Sequence, residues 1–300
     1  MQINEKESVR NATKCHAFEN AFFIQINGLR KYICTCAFAA TRLNSLREWY
    51  SQKFIPFSVG AIACSMPQAF IHAHWKFMSA NLSGSRNLPA PAAADASVLD
   101  ALRNIVTPHL SDNLQRREGI AGLTRYNRRG KLVGTAVTVK TRPGDNLMIY
   151  KAMLEIQPGN VLVVDAGGDL TNAVMGEIMK QYLQLHGCAG VVVDGAIRDV
   201  VAFQEDDFPC YARGHIHRGP YKDGPGEVNV PVSIGGQVIF PGDVIVGDED
   251  GLVSFSQADA KPLIALAQAH AEKEARIMAE IATGAREQSW MQAAFNARGI

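Results

Sequence analysis

The chain has 300 residues, 47% hydrophobic and 20% charged, with thirty basic residues against twenty-nine acidic ones for a net charge of +1. That composition suits globular structure, one large domain or two modest ones. It offers no global basic footprint for nucleic acid or an anionic membrane, no apolar run long enough to span a bilayer, and no secretory leader in "MQINEKESVRNATK".

Residues 1–77 are rich in aromatics, Cys and His, yet show neither a sustained helical period nor clean alternation. Cys34, Cys36, His72 and His74 lack the paired spacing that holds four ligands around one ion. No CxxC pair occurs among the six cysteines, so free thiols in a reducing cytosol are expected. Met78 opens "MSANLSGSRNLPAPAAADAS", a polar, Ala/Pro-rich lead of the kind found at an N-terminus or in a linker. The expectation is a working protein that begins near Met78. Residues 1–77 are then an extension of uncertain structure, 78–96 a linker, 97–284 the folded domain and 285–300 a tail.

From Ser97 the signals sharpen. "SVLDALRNI" and "SDNLQRRE" predict short helices, the second capped by Ser111 and Asp112. "GTAVTVKT" (134–141) alternates as a strand, and "GDNLMIYKAMLEI" predicts a helix with Asp145 near its start. "NVLVVDA" (160–166) reads as a buried strand, "NAVMGEIMKQYLQLHG" as a helix ending at Gly187, and "AGVVVDG" as a third strand before the helical "AIRDVVAFQE". Five short strands follow, "FPCYAR", "VNVPVSI", "QVIF", "DVIVGD" and "GLVSF", and a long amphipathic helix from about Gln257 to Ala282 closes the chain. Strands that alternate with helices and then run without them predict a compact α/β domain with mixed sheets.

Several chemistries find no motif. The chain has no GxxxxGK[ST] phosphate loop and no GxSxG nucleophile elbow, and "DAGGD" lacks dinucleotide spacing. His215-Ile-His217 in a Gly-flanked loop reads as polar surface. Two linked pieces remain. In the first, Gly176-Glu177-Ile178-Met179 either opens a helix, where unpaired amides form a carboxylate site, or lies inside a longer helix whose glycine merely permits packing. In the second, Arg198 and Asp199 follow strand 189–194. A fork-shaped guanidinium beside a carboxylate that suits a hard cation fits a small carboxylate-bearing ketone and an enolate. A solvated surface ion pair fits the same spacing.

"GEIM" at 176–179, followed twenty-two residues after Gly176 by Arg198-Asp199 in "DGAIRD", resembles the class II pyruvate aldolases. These comprise the 4-hydroxy-4-methyl-2-oxoglutarate / 4-carboxy-4-hydroxy-2-oxoadipate aldolases and the related regulator of ribonuclease activity A. The resemblance spans about residues 97–284 and includes "GTAVTVKTRPGDNL", "HRGPYKDGPGEVNVPV" and "PGDVIVGDEDGLV". It implies a swivelling β/β/α-type domain in the cytoplasm, assembled as homotrimers or homohexamers with sites between subunits. It implies a divalent cation, Mg²⁺ or Mn²⁺, on Asp199 and in part through water. Arg198 would contact the pyruvate oxygens, the amides of Gly176, Glu177, Ile178 and Met179 would hold the carboxylate, and Glu177 would position water where the family commonly has Asp. The family also supplies an acidic residue from the C-terminal helix of a neighbouring subunit; of Glu272 and Glu274, Glu274 is chosen. The implied activity is cleavage of a 4-hydroxy-2-oxo di- or tricarboxylic acid to pyruvate and a 2-oxo acid, with oxaloacetate decarboxylation at the side. The implied partner is thus a small 2-oxo acid, not a nucleic acid or a membrane. The alternative is a non-catalytic protein that binds and regulates a ribonuclease E-type enzyme. Labels linking such sequences to menaquinone methylation find no supporting motif.

Overall fold

The computed structural model describes residues 23–26, 29–32, 84–116 and 119–300. The chain divides into two compact units, residues 1–68 and 69–300. In the first, β1 (Phe23–Ile26) pairs antiparallel with β2 (Leu29–Tyr32), with Phe23 opposite Tyr32. Asn27 and Gly28 lie between them in sequence, the dipeptide that most favours a two-residue hairpin connection. Cys34, Cys36, His72, His74 and the proposed start near Met78 lie outside the described residues.

The second unit is built on a mixed sheet. In chain order its elements are α1 (Ala96–Leu102), α2 (Thr107–Asn113), β3 (Thr124–Arg125), β4 (Leu132–Thr141), α3 (Leu147–Met153), β5 (Asn160–Asp165), β6 (Ala173–Met175), α4 (Glu177–Leu185) and β7 (Gly190–Ile197). There follow α5 (Val200–Gln204), β8 (Cys210–His215), β9 (Gly226–Val228), β10 (Val232–Ile234), β11 (Gln237–Ile239), β12 (Val244–Asp248), β13 (Gly251–Phe255), α6 (Gln257–Ala282) and α7 (Ser289–Asn296). The strand order is β13-β12-β4-β5-β7-β8-β3, with β6 against β7 and β9 against β4. Strands β4, β5, β7 and β8 run parallel, and β3, β9, β12 and β13 pair antiparallel. This is the expected β/β/α-type domain with mixed strands, its main sheet curled towards a barrel.

The apolar runs in β5 and β7 follow from burial on both faces. Leu162, Val164, Val191 and Val193 pack with Ile149 of α3, Leu183 of α4 and Phe203 of α5. Their neighbours Val161, Val163 and Val192 point the other way, onto Val232, Ile234 and Ile239 of the β10–β11 hairpin. A third cluster joins Val133, Val244, Val246 and Phe255 to Leu99 and Leu102 of α1, Leu110 of α2, and Leu263 and Ala267 of α6. Each fully buried aliphatic side chain contributes about 1.5–3 kcal/mol.

Several predicted elements need correction. The helix expected over 172–187 begins as β6, and only at Glu177 does α4 start. Strand β7 continues to Ile197, two residues past the predicted strand end at Gly195, because β6 and β8 both pair with its end. Helix α2 begins four residues earlier than expected, with Pro108 in its first turn, so Ser111 and Asp112 sit in its last turn rather than capping it. Residues 86–94, read as linker, are strapped to the domain. The Leu88 amide donates to the Val228 carbonyl (3.1 Å), the Val228 amide to the Arg86 carbonyl (2.9 Å), and Arg86 pairs with Glu227.

One buried carboxylate fixes the loop that will matter below. Asp145, fully buried, accepts from the Leu147 amide with Oδ1 (2.9 Å) and from the amides of Asp223 (2.7 Å) and Gly224 (2.9 Å) with Oδ2. Burial pushes its carboxyl up, but these three amides and Arg142 outweigh burial and hold it below its ordinary range. Because the native value is depressed, this stabilisation is complete above the ordinary carboxylate pKa and is lost as pH falls through the native one. Asp145→Ala is therefore expected to cost about 3 kcal/mol at neutral pH by urea unfolding, and to lose less stability than wild type on acidification.

Candidate active site

Strands β5 and β7 are parallel neighbours, and the chain leaves both at the same edge of the sheet. After β5 it returns as the short β6, which pairs with the last residues of β7, Ala173 opposite Ala196 and Met175 opposite Ile197. The Arg198 amide donates to the Met175 carbonyl at 2.9 Å. Gly176 and Arg198-Asp199 are thereby brought side by side, at the carboxyl ends where open α/β sheets bind ligands.

Gly176 is the N-cap of α4, not an interior residue. Its backbone is extended (φ −155°), a conformation any residue adopts. Space is what requires glycine: a Cβ there would lie 2.6 Å from Asp199 Oδ2 and 3.0 Å from Arg198 Cγ. Asp199 has the left-handed conformation (φ 57°, ψ 41°), which Asp tolerates better than most residues. There its Oδ2 accepts the Glu177 amide at 3.0 Å and lies 3.6 Å from Arg198 Nε. So the Glu177 amide, expected to meet a substrate carboxylate, donates to Asp199 in this chain. The Ile178 and Met179 amides follow in the same first turn, which has no preceding carbonyls to satisfy it.

A small, open cleft of about 80 Å³ lies over this corner. Gly176, Ile178, Met179, Arg198 and Asp199 line it. Glu177 is exposed, and its Oε1 accepts from Gln181 (2.9 Å). Asn146, Tyr150, Pro220 and Lys222 line the cleft as well, and sequence reasoning gave them no role. Asn146 reads as a helix cap and Lys222 as part of a Gly/Pro-rich turn. The Asp145 anchor ties residues 223–224 to the start of α3, and backbone hydrogen bonds between residues 144–146 and Tyr221 reinforce it.

Glu274 is not among the cleft residues of its own chain. It lies on α6, where Oε2 is 2.7 Å from His109 Nε2 of α2 and Oε1 is 3.4 Å from His270 Nε2. The His109 hydrogen bond holds its carboxyl below the usual range. Glu272 is exposed on the same helix. His215 and His217 are exposed, and His215 Nδ1 meets the Tyr126 hydroxyl at 3.1 Å. Burial pushes the Cys188 thiol up to about 11 and the Cys210 thiol up as well, which makes neither a nucleophile.

For a cation, Asp199 offers a half-exposed carboxylate with Oδ1 outside the Glu177 hydrogen bond; the Glu177 side chain is exposed and hydrogen-bonded to Gln181 on its own helix. Among the described residues no three His, Cys, Asp or Glu side chains converge as a ligand set. This donor set fits a hard ion that keeps most of its water, as Mg²⁺ does. It does not fit a tetrahedral zinc cage.

Comparison with known proteins places this part of the chain in a family. Residues 107–254, which include Gly176 and Arg198-Asp199 but not Glu274, match the RraA-like family, Aldolase/RraA. A protein of Halalkalibacterium halodurans, provisionally named 4-hydroxy-4-methyl-2-oxoglutarate aldolase, is 40% identical over 188 residues, 61% of this chain and 88% of that one. The chain belongs to the RraA-like aldolase family. A relative in Ectopseudomonas mendocina with the same provisional name is 32% identical over 52% of this chain and 98% of its own. Among solved structures, an uncharacterized protein from Pseudomonas syringae (TM-score 0.58, 29% identity) matches 65% of this chain and 96% of its own. Streptomyces coelicolor RraAS2, described as an unusual member of the RNase ES inhibitor RraA family, matches 62% and 96% (TM-score 0.57, 29% identity).

In this member of the RraA-like family, Gly176→Ala is expected to push Asp199 off the Glu177 amide and to cost about 1–3 kcal/mol of overpacking strain. Urea unfolding and the Glu177 amide shift by NMR check this; an unmoved amide signal would contradict the close approach.

Proposed function

We propose that the protein is a carbon–carbon lyase that cleaves a 4-hydroxy-2-oxo acid bearing a second carboxylate to pyruvate and a 2-oxo acid. The observation that supports this reading is that Arg198 and Asp199 both line one cleft beside Gly176, although each side chain keeps about two-fifths of its surface exposed. The names of the two curated relatives support the same reaction class.

Arg198 binds the oxygens of the pyruvoyl end with its guanidinium, whose fixed charge stabilises the enolate oxygen as it develops. The free amides of Ile178 and Met179 bind the adjoining carboxylate. Lys222, across the cleft, suits the second carboxylate. A water held by Glu177 and by Glu274 of a second copy takes the C4 hydroxyl proton. The C3–C4 bond then breaks, C4 becomes the carbonyl of the departing 2-oxo acid, and the electron pair passes to the enolate. Protonation at C3 yields pyruvate. A divalent cation, Mg²⁺ or Mn²⁺, held by Asp199 and through water by Glu177, supplies Lewis-acid polarisation of the C2 carbonyl. Oxaloacetate decarboxylation passes through the same enolate and is an expected side activity. The assembly is a homotrimer or homohexamer, since Glu274 stands outside its own chain's cleft, and the reaction belongs to the cytoplasm.

The likeness to RraAS2 supports a second reading, a regulator that binds a ribonuclease. It requires partner binding that survives loss of Arg198 and Asp199, without turnover. Pyruvate release from 4-hydroxy-4-methyl-2-oxoglutarate separates the two. Turnover is expected with Mg²⁺, loss with EDTA and recovery when Mg²⁺ is restored. Arg198→Ala should lower kcat at least about 100-fold. Undiminished turnover in EDTA would reject the cation, and no turnover on any 2-oxo acid would favour the regulator. Borohydride with pyruvate should trap no adduct, because no lysine Schiff base is used; a stable adduct by mass spectrometry would reject the mechanism.

A further inference from the structure

A glutamate on a long terminal helix is ordinarily free and solvated. Glu274 is not. Along α6 the buried residues are Ala260, Leu263 and Ala267, and none of the fifteen residues from Gln268 to Ala282 is buried. Where the helix leaves the domain body, His109, His270 and Glu274 form a small polar cluster. His109 comes from α2 and is only 14% exposed at its side chain, His270 is 25% exposed, and Glu274, outermost, is 52% exposed. The imidazoles stack with centroids 5.0 Å apart and planes 21° from parallel.

Proton placement in this cluster follows from which groups can donate. An ionised carboxylate only accepts, so His109 Nε2 carries the hydrogen of its 2.7 Å contact with Glu274 Oε2. Asn113 Nδ2, which also donates to the His109 carbonyl (2.8 Å), lies 3.4 Å from His270 Nδ1. Nδ1 of His270 is then the acceptor and Nε2 the N–H, which lies 3.4 Å from Glu274 Oε1. Asp112, tied to Arg116 at 3.0 Å, stands 3.9 Å from the same Nε2. One carboxylate oxygen of Glu274 is thus hydrogen-bonded from the protein side and the other lies 3.4 Å from His270 Nε2, while the group as a whole stays half exposed.

We propose that His109, seconded by His270, is a positioning residue that presents the Glu274 carboxylate outward in a fixed orientation for the site of a second copy of the chain. This rests on the reading above, in which Glu274 completes a neighbour's cleft. His109 touches neither substrate nor cation; it acts through Glu274. An unclamped glutamate would have to be ordered in each turnover, and a misplacement of about 1 Å in a proton-handling group can cost up to about 100-fold in rate.

The test compares His109→Leu, which removes the donor, His109→Gln, which keeps an N–H at similar reach, and Glu274→Gln. For each, kcat and KM for 4-hydroxy-4-methyl-2-oxoglutarate with Mg²⁺ are measured beside assembly mass and Tm. Glu274→Gln is expected to lower kcat about 100-fold. His109→Leu should lower kcat about 10-fold at unchanged KM and unchanged assembly, and His109→Gln should restore most of it. Wild-type kcat in His109→Leu, with Glu274→Gln inactive, overturns the positioning role and leaves the function intact. Equal losses in His109→Leu and His109→Gln, accompanied by loss of assembly, also overturn it, because His109 is then only a structural pin. Full turnover in Glu274→Gln, or none in the wild-type protein, overturns this inference together with the reading it rests on. Should His109→Leu fail to assemble, Asn113→Ala carries the test by releasing the His270 tautomer: about threefold lower kcat is expected, and wild-type kcat overturns the proposal.

Discussion

The site depends on one close approach, the Asp199 carboxylate against the backbone of Gly176 and Glu177. A single oxygen, Oδ2, caps the first turn of α4 and lies beside the Arg198 side chain. For that to happen residue 176 must lack a Cβ, residue 199 must take the left-handed conformation, and β6 must lie against the end of β7. Those conditions are shared among three segments of chain, and each is of use only when the other two are met.

The same contact bears on how charge is arranged. Arg198, Lys222 and Asp199 line one cleft, so cationic and anionic groups meet in a small space. A substrate with two carboxylates answers the former, and a hydrated cation the latter. Asp145 contributes at one remove. By collecting the amides of Leu147, Asp223 and Gly224 it sets the loop that carries Lys222 against the helix that follows Asn146.

Much of this was legible in the sequence, and the failures have physical causes. The central strands announce themselves through apolar runs, because both of their faces are buried. "GEIM" and "IRD" were legible because chemistry there restricts residue types at a fixed separation. Strand β6 was not, since three apolar residues before a helix match a helical pattern as well as an extended one, and only pairing with the bulged end of β7 decides between them. The α2 start was misjudged because Ser111 and Asp112 resemble caps, whereas Pro108 already sets the first turn. Asn146 and Lys222 carry no local signal of a cleft; their place there is a tertiary consequence of the contacts that tie residues 221–225 to the start of α3. The surroundings of Glu274 were equally hidden, since His109 lies 165 residues away in sequence.

The central claim is that this corner makes and holds a pyruvate enolate, and proton exchange at the pyruvate methyl group reports that step without any choice of aldol partner. Pyruvate in D₂O with Mg²⁺ and the protein should lose its methyl signal by proton NMR. The loss should stop with EDTA and slow at least about 100-fold in Arg198→Ala. A methyl signal that persists at the protein-free rate with wild-type protein and Mg²⁺ would contradict it.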